Sequence, residues 1–385
     1  MKVRSAILRQ SGLPRPYALS KPLSIETVDL APPGPGEVLV RMAAAGVCHS
    51  DLSGINGDRP RPMPLAIGHE ASGVVESLGP GVDDLQPGDH VVMSFSPVCG
   101  ACAYCAEGRP ALCEPGAAAN GAGTLLSGAR RFSCDDGSAI NHHCGVCAFS
   151  EYSVVARRSI VKIRKDIPLV HAALFGCAVM TGVGAVMNTC RVRPGQSVAV
   201  VGLGGVGLSA LIGAVASGAG RIVAVDLNPA KLAVARSLGA TDTVLASDAD
   251  AVAQVRNATA GGVDHAIEMA GVARAFEFAA AVTRRGGTTA TAGLPPPSTQ
   301  FTLPAVQMVA EERVYRGSYM GSCVPARDIP RYIDLFMAGK LPVDRLLTST
   351  GALEDINEAF DRLDRGEAIR HVVIMSDAAR TGVAL

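Results

Sequence analysis

One stretch, residues 197–226, constrains the fold of this chain more than any other. Ser197–Val201 is a short apolar, β-branched run that reads as a buried parallel strand. It leads directly into Gly202-Leu203-Gly204-Gly205-Val206-Gly207, a G-x-G-x-x-G turn. Residues 208–217 then read as a helix of small and apolar residues. Residues 221–225 read as a second strand, closing on Asp226, 19 residues after the last glycine of the turn. Strand, glycine turn, helix, strand and acid in this order make the dinucleotide-binding βαβ unit. Gly202 permits the tight turn, Gly204 lets the backbone approach a pyrophosphate, and Gly207 lets the helix pack closely on the strand. The N-terminus of that helix, reached through Gly205 and Val206, presents unpaired N–H groups to the phosphates. Asp226 can accept both hydroxyls of the adenosine ribose and opposes a 2′-phosphate, which favours NAD over NADP. Lys231 either reaches the ribose edge or is an ordinary exposed helix lysine.

The alternation continues. Helix-like runs at 230–238, 249–258 and 272–284 interleave with strand-like runs at 243–245, 263–269, 287–292 and 314–319. This pattern predicts a doubly wound parallel sheet over residues 181–324. Residues 25–160 differ: short β-like runs at 37–42, 72–77, 90–94 and 151–155 are separated by Pro/Gly turns, as in an all-β barrel. Beyond Pro325, helix-like 329–338 and 353–365 and strand-like 372–375 read as a return to that first domain. The expected division is therefore 1–180, 181–324 and 325–385, an α/β chain with a discontinuous β-rich domain.

Residues 194–220 carry no charge, and 197–216 is long enough to cross a bilayer. The glycines at 202, 204, 205, 207 and 213 favour the nucleotide-binding reading instead. Residues 1–30 hold no secretory apolar core, so the expected compartment is the cytoplasm. Lys plus Arg and Asp plus Glu both number 35, with no long basic run and no Trp, which argues against nucleic-acid and membrane partners.

Eleven cysteines, an odd count without an export signal, do not suggest a disulfide scaffold. Cys99, Cys102, Cys105 and Cys113 form C-x2-C-x2-C-x7-C, with Gly100 and Gly108 allowing tight turns. Four thiolates suit a closed structural Zn2+ site; an iron–sulfur cluster and four unrelated thiols are the competing readings. Cys48, His69 and Cys177 together offer two thiolates and one imidazole, the donor set of an open catalytic zinc. Each alone reads more simply as a core or structural residue, and only their combination raises them. Cys144 and Cys147, beside His142 and His143, look like half a zinc site without a second half, and Cys134, Cys190 and Cys323 read as buried thiols.

Together these motifs resemble the zinc-dependent alcohol dehydrogenases of the medium-chain dehydrogenase/reductase family. The resemblance covers nearly the whole chain and rests on Gly46-Val47-Cys48-His49-Ser50-Asp51, Gly68-His69-Glu70, the four-cysteine lobe, Gly176-Cys177, residues 202–207 and Ile369-Arg370. The stretch 131–152 is similar to the longer animal-type and glutathione-dependent formaldehyde dehydrogenase branch. The resemblance implies a GroES-like catalytic domain beside a Rossmann domain, two Zn2+ per chain, and hydride transfer between a primary alcohol or aldehyde and NAD. It implies that Cys48, His69 and Cys177 bind the catalytic zinc, with Glu70 behind it or ligating transiently. Asp51 would orient His69, and Ser50 would hydrogen-bond the substrate oxygen and begin a proton relay. His49 and Arg370 would meet the pyrophosphate, and Phe95, His143 and Leu294 would line the substrate pocket. Relatives pair through edge strands of the nucleotide domain, so a homodimer or homotetramer is expected.

Three departures stand out. The pocket position that relatives often fill with an aromatic is His143, followed by Cys144. Many relatives end the relay on a histidine five residues after the first zinc cysteine, where this chain has Ser53. The formaldehyde branch holds glutathione partly with a basic residue four positions after the last lobe cysteine, and here that position is Ala117. This counts against the second reading, a glutathione-dependent formaldehyde dehydrogenase, unless Arg59, Arg61 or Arg130 substitutes. A non-catalytic nucleotide-binding protein is a third reading, opposed by the full set of seven metal ligands.

Overall fold

A computed structural model describes residues 1–380. The chain forms two compact units. One comprises Met1–Cys177, Val324–Met337 and the chain from Val343 onward; the other comprises Ala178–Cys323 with Ala338–Pro342.

The second unit is built on six parallel strands in the order Asp242–Leu245, Arg221–Asp226, Ser197–Val201, Val263–Glu268, Thr283–Thr291, Val314–Gly317. Numbered along the chain, this is the order 3-2-1-4-5-6 of the doubly wound dinucleotide-binding sheet. Ser197–Val201 is central and near-continuously apolar because it is covered on both faces. The uncharged stretch 197–216 resolves into that strand and the 12-residue helix Gly205–Ala216. Among the described residues no single helix is long and apolar enough to cross a membrane. The helix expected over 272–284 ends sooner, as Ala273–Val282, and the strand Thr283–Thr291 follows at once. Its register against Val263–Glu268 shifts between Val263 and His265, so this strand carries an irregularity that simple alternation does not signal.

The first unit contains a closed barrel of five strands, Lys2–Leu8, Leu23–Leu30, Phe132–Ser133, Ala139–His142 and Leu65–Ala66. Beside it lies a seven-stranded sheet with Ile160–Lys162, His90–Met93, Ala71–Leu78, Glu37–Gly46, Arg370–Ile374 and Leu347–Gly351 in order, and Tyr152–Ala156 paired to Glu37–Gly46. The late strand Arg370–Ile374 runs antiparallel to Glu37–Gly46, with Val372 opposite Gly46. Val38, Val40, Met42, Val75, Val91, Phe149 and Phe360 belong to the core on which this sheet rests.

Candidate active site

Sheet register brings the first-unit site residues together. Glu37–Gly46 runs into Val47 and Cys48, and the chain then turns into the seven-residue helix His49–Ile55. Its neighbour Ala71–Leu78 begins directly after His69 and Glu70, with Ala45 opposite Ala71 and the Gly46 N–H donating to the Glu70 carbonyl at 2.8 Å. On the other side of the same strand, Arg370 opens Arg370–Ile374. Cys177 follows the helical turn Ala173–Gly176. The ligating atoms of Cys48, His69, Glu70 and Cys177 all lie within 4.8 Å of one another, and all four residues are buried.

The donor set suits zinc. His69 Nδ1 lies 2.8 Å from Asp51 Oδ1, which leaves Nε2 facing Cys177 Sγ at 3.3 Å. Around a tetrahedral zinc, bonds of about 2.3 Å to sulfur and about 2.0 Å to nitrogen place the two atoms about 3.5 Å apart. Hydrogen bonding from the Cys177 thiol pulls Cys48 well below the ordinary thiol range, aided by His69 and Arg370, while Cys177 is pushed up by the same contact and by burial. Burial raises Glu70 to about 7, against the opposing pull of Arg370. Glu70 accepts a hydrogen bond from the Arg370 guanidinium through one oxygen, and its Oε1 has no protein partner. A Cβ on Gly46 would come within 2.8 Å of both Arg370 Nη2 and Glu70 Cδ, so only glycine leaves room for the pair. Burial would raise Asp51, yet the His69 and His143 imidazoles hold its carboxyl below the usual range.

The remaining first-unit residues fall as follows. Phe95 and His143 stand edge-on to the His69 ring, with centroids 5.8 and 5.5 Å away. Ser50 is half-buried and His49 exposed on the first turn of helix His49–Ile55, and Ser53 Oγ donates to the His49 carbonyl at 2.9 Å. Leu294 is 48% exposed and belongs to the other unit. Ala117 is exposed on helix Glu114–Ala122. Arg130 is taken up by Asn141 Oδ1 and the Ala122 carbonyl, both at 2.8 Å, and Arg61 donates to the Asn120 carbonyl at 3.3 Å.

The sulfurs of Cys99, Cys102, Cys105 and Cys113 form a second cluster within 4.8 Å. Cys99 and Cys105 are 4.0 Å apart, close to the about 3.8 Å expected of two thiolates on one tetrahedral zinc. The Ala101 and Cys102 N–H groups donate to Cys99 Sγ at 3.4 and 3.3 Å and lower that thiol to about 6. Those of Cys99 and Gly116 donate to Cys113 Sγ at 3.2 and 3.4 Å. Cys144 and Cys147 join neither cluster; Cys147 Sγ instead lies 3.3 Å from His142 Nδ1. Cys190 and Cys323 are buried, but Cys134 is half-exposed, with Arg9 donating to its sulfur at 3.6 Å, which corrects its reading as a buried thiol.

In the second unit the glycine turn makes a cradle. A Cβ on Gly207 would lie 1.8 Å from the Gly202 carbonyl oxygen, so the helix can sit this close to the turn only without one. A Cβ on Gly204 would meet nothing within 4 Å, and no side chain caps the N-terminus of Gly205–Ala216. Open space before uncapped helix N–H groups is what a pyrophosphate needs. Asp226 accepts the Leu203 N–H at 2.6 Å and the Asn228 N–H at 2.9 Å, which ties the acid to the turn. Lys231 is half-buried on helix Pro229–Ser237.

Two relationships were not visible in the sequence: the Glu70–Arg370 pair, 300 positions apart, and the approach of His143 to Asp51. The Ile369-Arg370 motif marked Arg370 but not its partner.

Comparison with known proteins agrees with this geometry. Residues 34–165 match the alcohol dehydrogenase GroES-like domain, and residues 205–338 match the zinc-binding dehydrogenase domain. An S-(hydroxymethyl)glutathione dehydrogenase of Synechocystis sp. is 38% identical over 97% of this chain and 100% of its own length. One from Escherichia coli is 37% identical over the same shares. Among solved structures, an alcohol dehydrogenase zinc-binding domain protein from Burkholderia ambifaria superposes with a TM-score of 0.92 at 34% identity, covering 98% of this chain and 99% of that one. Benzyl alcohol dehydrogenase from Acinetobacter calcoaceticus superposes with a TM-score of 0.91 at 30% identity, over 98% and 100%. The chain belongs to the zinc-dependent alcohol dehydrogenases of the medium-chain dehydrogenase/reductase family and is an NAD- and zinc-dependent oxidoreductase.

Proposed function

We propose that the protein transfers a hydride between a primary alcohol or its aldehyde and NAD. The observation that carries this reading is the buried convergence of Cys48, His69 and Cys177, with Glu70 within reach. In this reading the three residues hold the catalytic zinc, and the four-cysteine lobe holds a second. A zinc held by Cys48, His69 and Cys177 supplies the Lewis acidity that makes an alcohol oxygen acidic near neutral pH. Asp51 keeps the His69 proton on Nδ1 and fixes the ring. Ser50 takes the alcohol proton. Because Ser53 donates to its own helix, the proton's way out passes through exposed His49. The turn 202–207 and the start of helix Gly205–Ala216 hold the pyrophosphate, while Asp226 holds the ribose with Lys231 at its edge. Arg370 has five N–H donors, so its pairing with Glu70 leaves others for a phosphate. Phe95 and His143, edge-on to the His69 ring, line the substrate side of the site.

The names of the Synechocystis and Escherichia coli relatives favour a second reading, oxidation of the hemithioacetal of formaldehyde and glutathione. Ala117 supplies no basic side chain for it, and Arg130 is engaged internally.

The chain is also read as a homo-oligomer of the cytoplasm. Val306, Val309 and Val314, 70%, 82% and 37% exposed at and beside the edge strand Val314–Gly317, support the first point. Cysteines that form no disulfide among the described residues suit a reducing compartment. Light scattering on the purified protein tests the assembly.

The deciding experiment measures NADH formation with ethanol, hexanol, benzyl alcohol, and formaldehyde with and without glutathione. A rate with a simple alcohol, abolished by chelation, is expected. Activity only with formaldehyde plus glutathione would replace the first reading with the second.

A further inference from the structure

Asp51 faces two imidazoles with one oxygen. Its Oδ1 lies 2.8 Å from His69 Nδ1 and 3.1 Å from His143 Nδ1. The two rings stand edge-on, with planes at 84°. Asp51, His69 and His143 are 0%, 1% and 3% exposed. The approach of His143 Nδ1 to Asp51 is close but not aligned as a hydrogen bond, Asp51 Oδ2 has no hydrogen-bond partner, and the Cys144 thiol also acts on the His143 ring. A buried carboxylate with a single aligned donor is poorly compensated, so a second imidazole nitrogen within 3.1 Å of it stabilises its charge and limits its movement. The backbone fixes where that nitrogen comes from. The His143 N–H donates to the Ala66 carbonyl at 3.1 Å, and the His143 carbonyl accepts from Val146 and Cys147 at 3.0 and 3.3 Å. His143 is thus tied to the segment that leads into His69.

We infer that His143 is a positioning residue: it pins the Asp51 carboxylate and thereby holds the His69 ring with Nε2 presented to the zinc. This goes beyond pocket lining, because an apolar aromatic ring would fill the same space without placing a polar nitrogen beside Asp51. The inference rests on the reading that Cys48, His69 and Cys177 hold the catalytic zinc.

The test compares the wild-type holoenzyme with His143→Phe, which keeps a ring but no donor, and His143→Gln, which keeps a donor but no ring. Zinc release to excess chelator is followed with a colour indicator, and kcat and KM are measured for one active alcohol. Outer partners of metal-bound histidines contribute about 10–100-fold in affinity or activity. His143→Phe should therefore lose the zinc of the Cys48 site about 10–100-fold faster, with a fall in kcat and little change in KM; His143→Gln should lie nearer the wild type. Unchanged zinc release in both variants, with only KM altered, overturns the inference and leaves His143 a pocket wall. Wild-type protein holding one zinc per chain instead of two would overturn the underlying reading as well, so the two failures are distinguishable. Circular dichroism checks that each variant folds.

Discussion

The Glu70 carboxylate and the Arg370 guanidinium form an ion pair with side chains 0% and 4% exposed, at the sheet end where Cys48 also arrives. Removing one partner of such a pair leaves a buried charge without compensation, at a cost of about 3–5 kcal/mol. Arg370→Met should lower stability by about that amount, measured as a shift in denaturant midpoint at pH 8. The double variant Glu70→Gln with Arg370→Met should recover most of the loss. A single variant as stable as the wild type would show that the pair adds nothing to folding.

The two sulfur clusters make separable predictions. Cys48→Ser should reduce zinc from two to one per chain and spare the fold. Its activity should fall by more than the roughly 10–100-fold that loss of an outer partner costs. Cys105→Ser should also remove one zinc, but from the lobe, and should lower thermal stability first. Metal analysis with circular dichroism reads both, and visible absorption typical of iron–sulfur clusters should be absent.

Asp226 should set cofactor choice. Hydrogen bonds to a charged group are worth about 1.5–3 kcal/mol, roughly 10–100-fold in binding. Asp226→Ala should weaken NAD by at least that factor, since it also unties the Leu203 and Asn228 N–H groups. It should also narrow the preference against NADP. Titrating both cofactors by fluorescence checks this; an unchanged ratio of affinities would remove Asp226 from the ribose.

His142 should give stability a pH dependence of its own. Burial lowers it from 6.5 to about 3, and its Nε2 accepts the Arg131 N–H at 2.9 Å, a role that a protonated ring cannot fill. Above pH 6.5 the ring is neutral in both states; as pH falls from 6.5 to about 3, the unfolded chain binds a proton that the folded chain refuses. Stability should therefore fall by up to about 1.4 kcal/mol per pH unit through that window. His142→Gln keeps an acceptor but does not titrate, so its unfolding free energy should vary less between pH 7 and 5 than that of the wild type. Identical slopes would exclude His142 as the cause.

What could be read in the sequence was local. The turn 202–207 and Asp226 belong to one βαβ unit, and Cys99 to Cys113 occupy one short lobe, so spacing alone carries their geometry. Strand Lys2–Leu8 does not alternate cleanly, because Ser5 is fully buried and satisfied by Ser150 Oγ at 2.6 Å. Phe132–Ser133 and Leu65–Ala66 are two residues each, too short for any periodicity. Glu70 with Arg370, and Asp51 with His143, meet only after the sheet has set its register, and no local pattern encodes either meeting.

The antiparallel pairing of Arg370–Ile374 with Glu37–Gly46 also has a consequence for biosynthesis. Domains generally fold as units while the ribosome is still adding residues. A nascent chain that has emerged as far as Cys323 has the whole main segment of its nucleotide unit, yet Glu70 still lacks its cation. The end of the sheet that carries Cys48 and Glu70 is therefore completed late, and polypeptides interrupted before Arg370 lack the cation that pairs with Glu70.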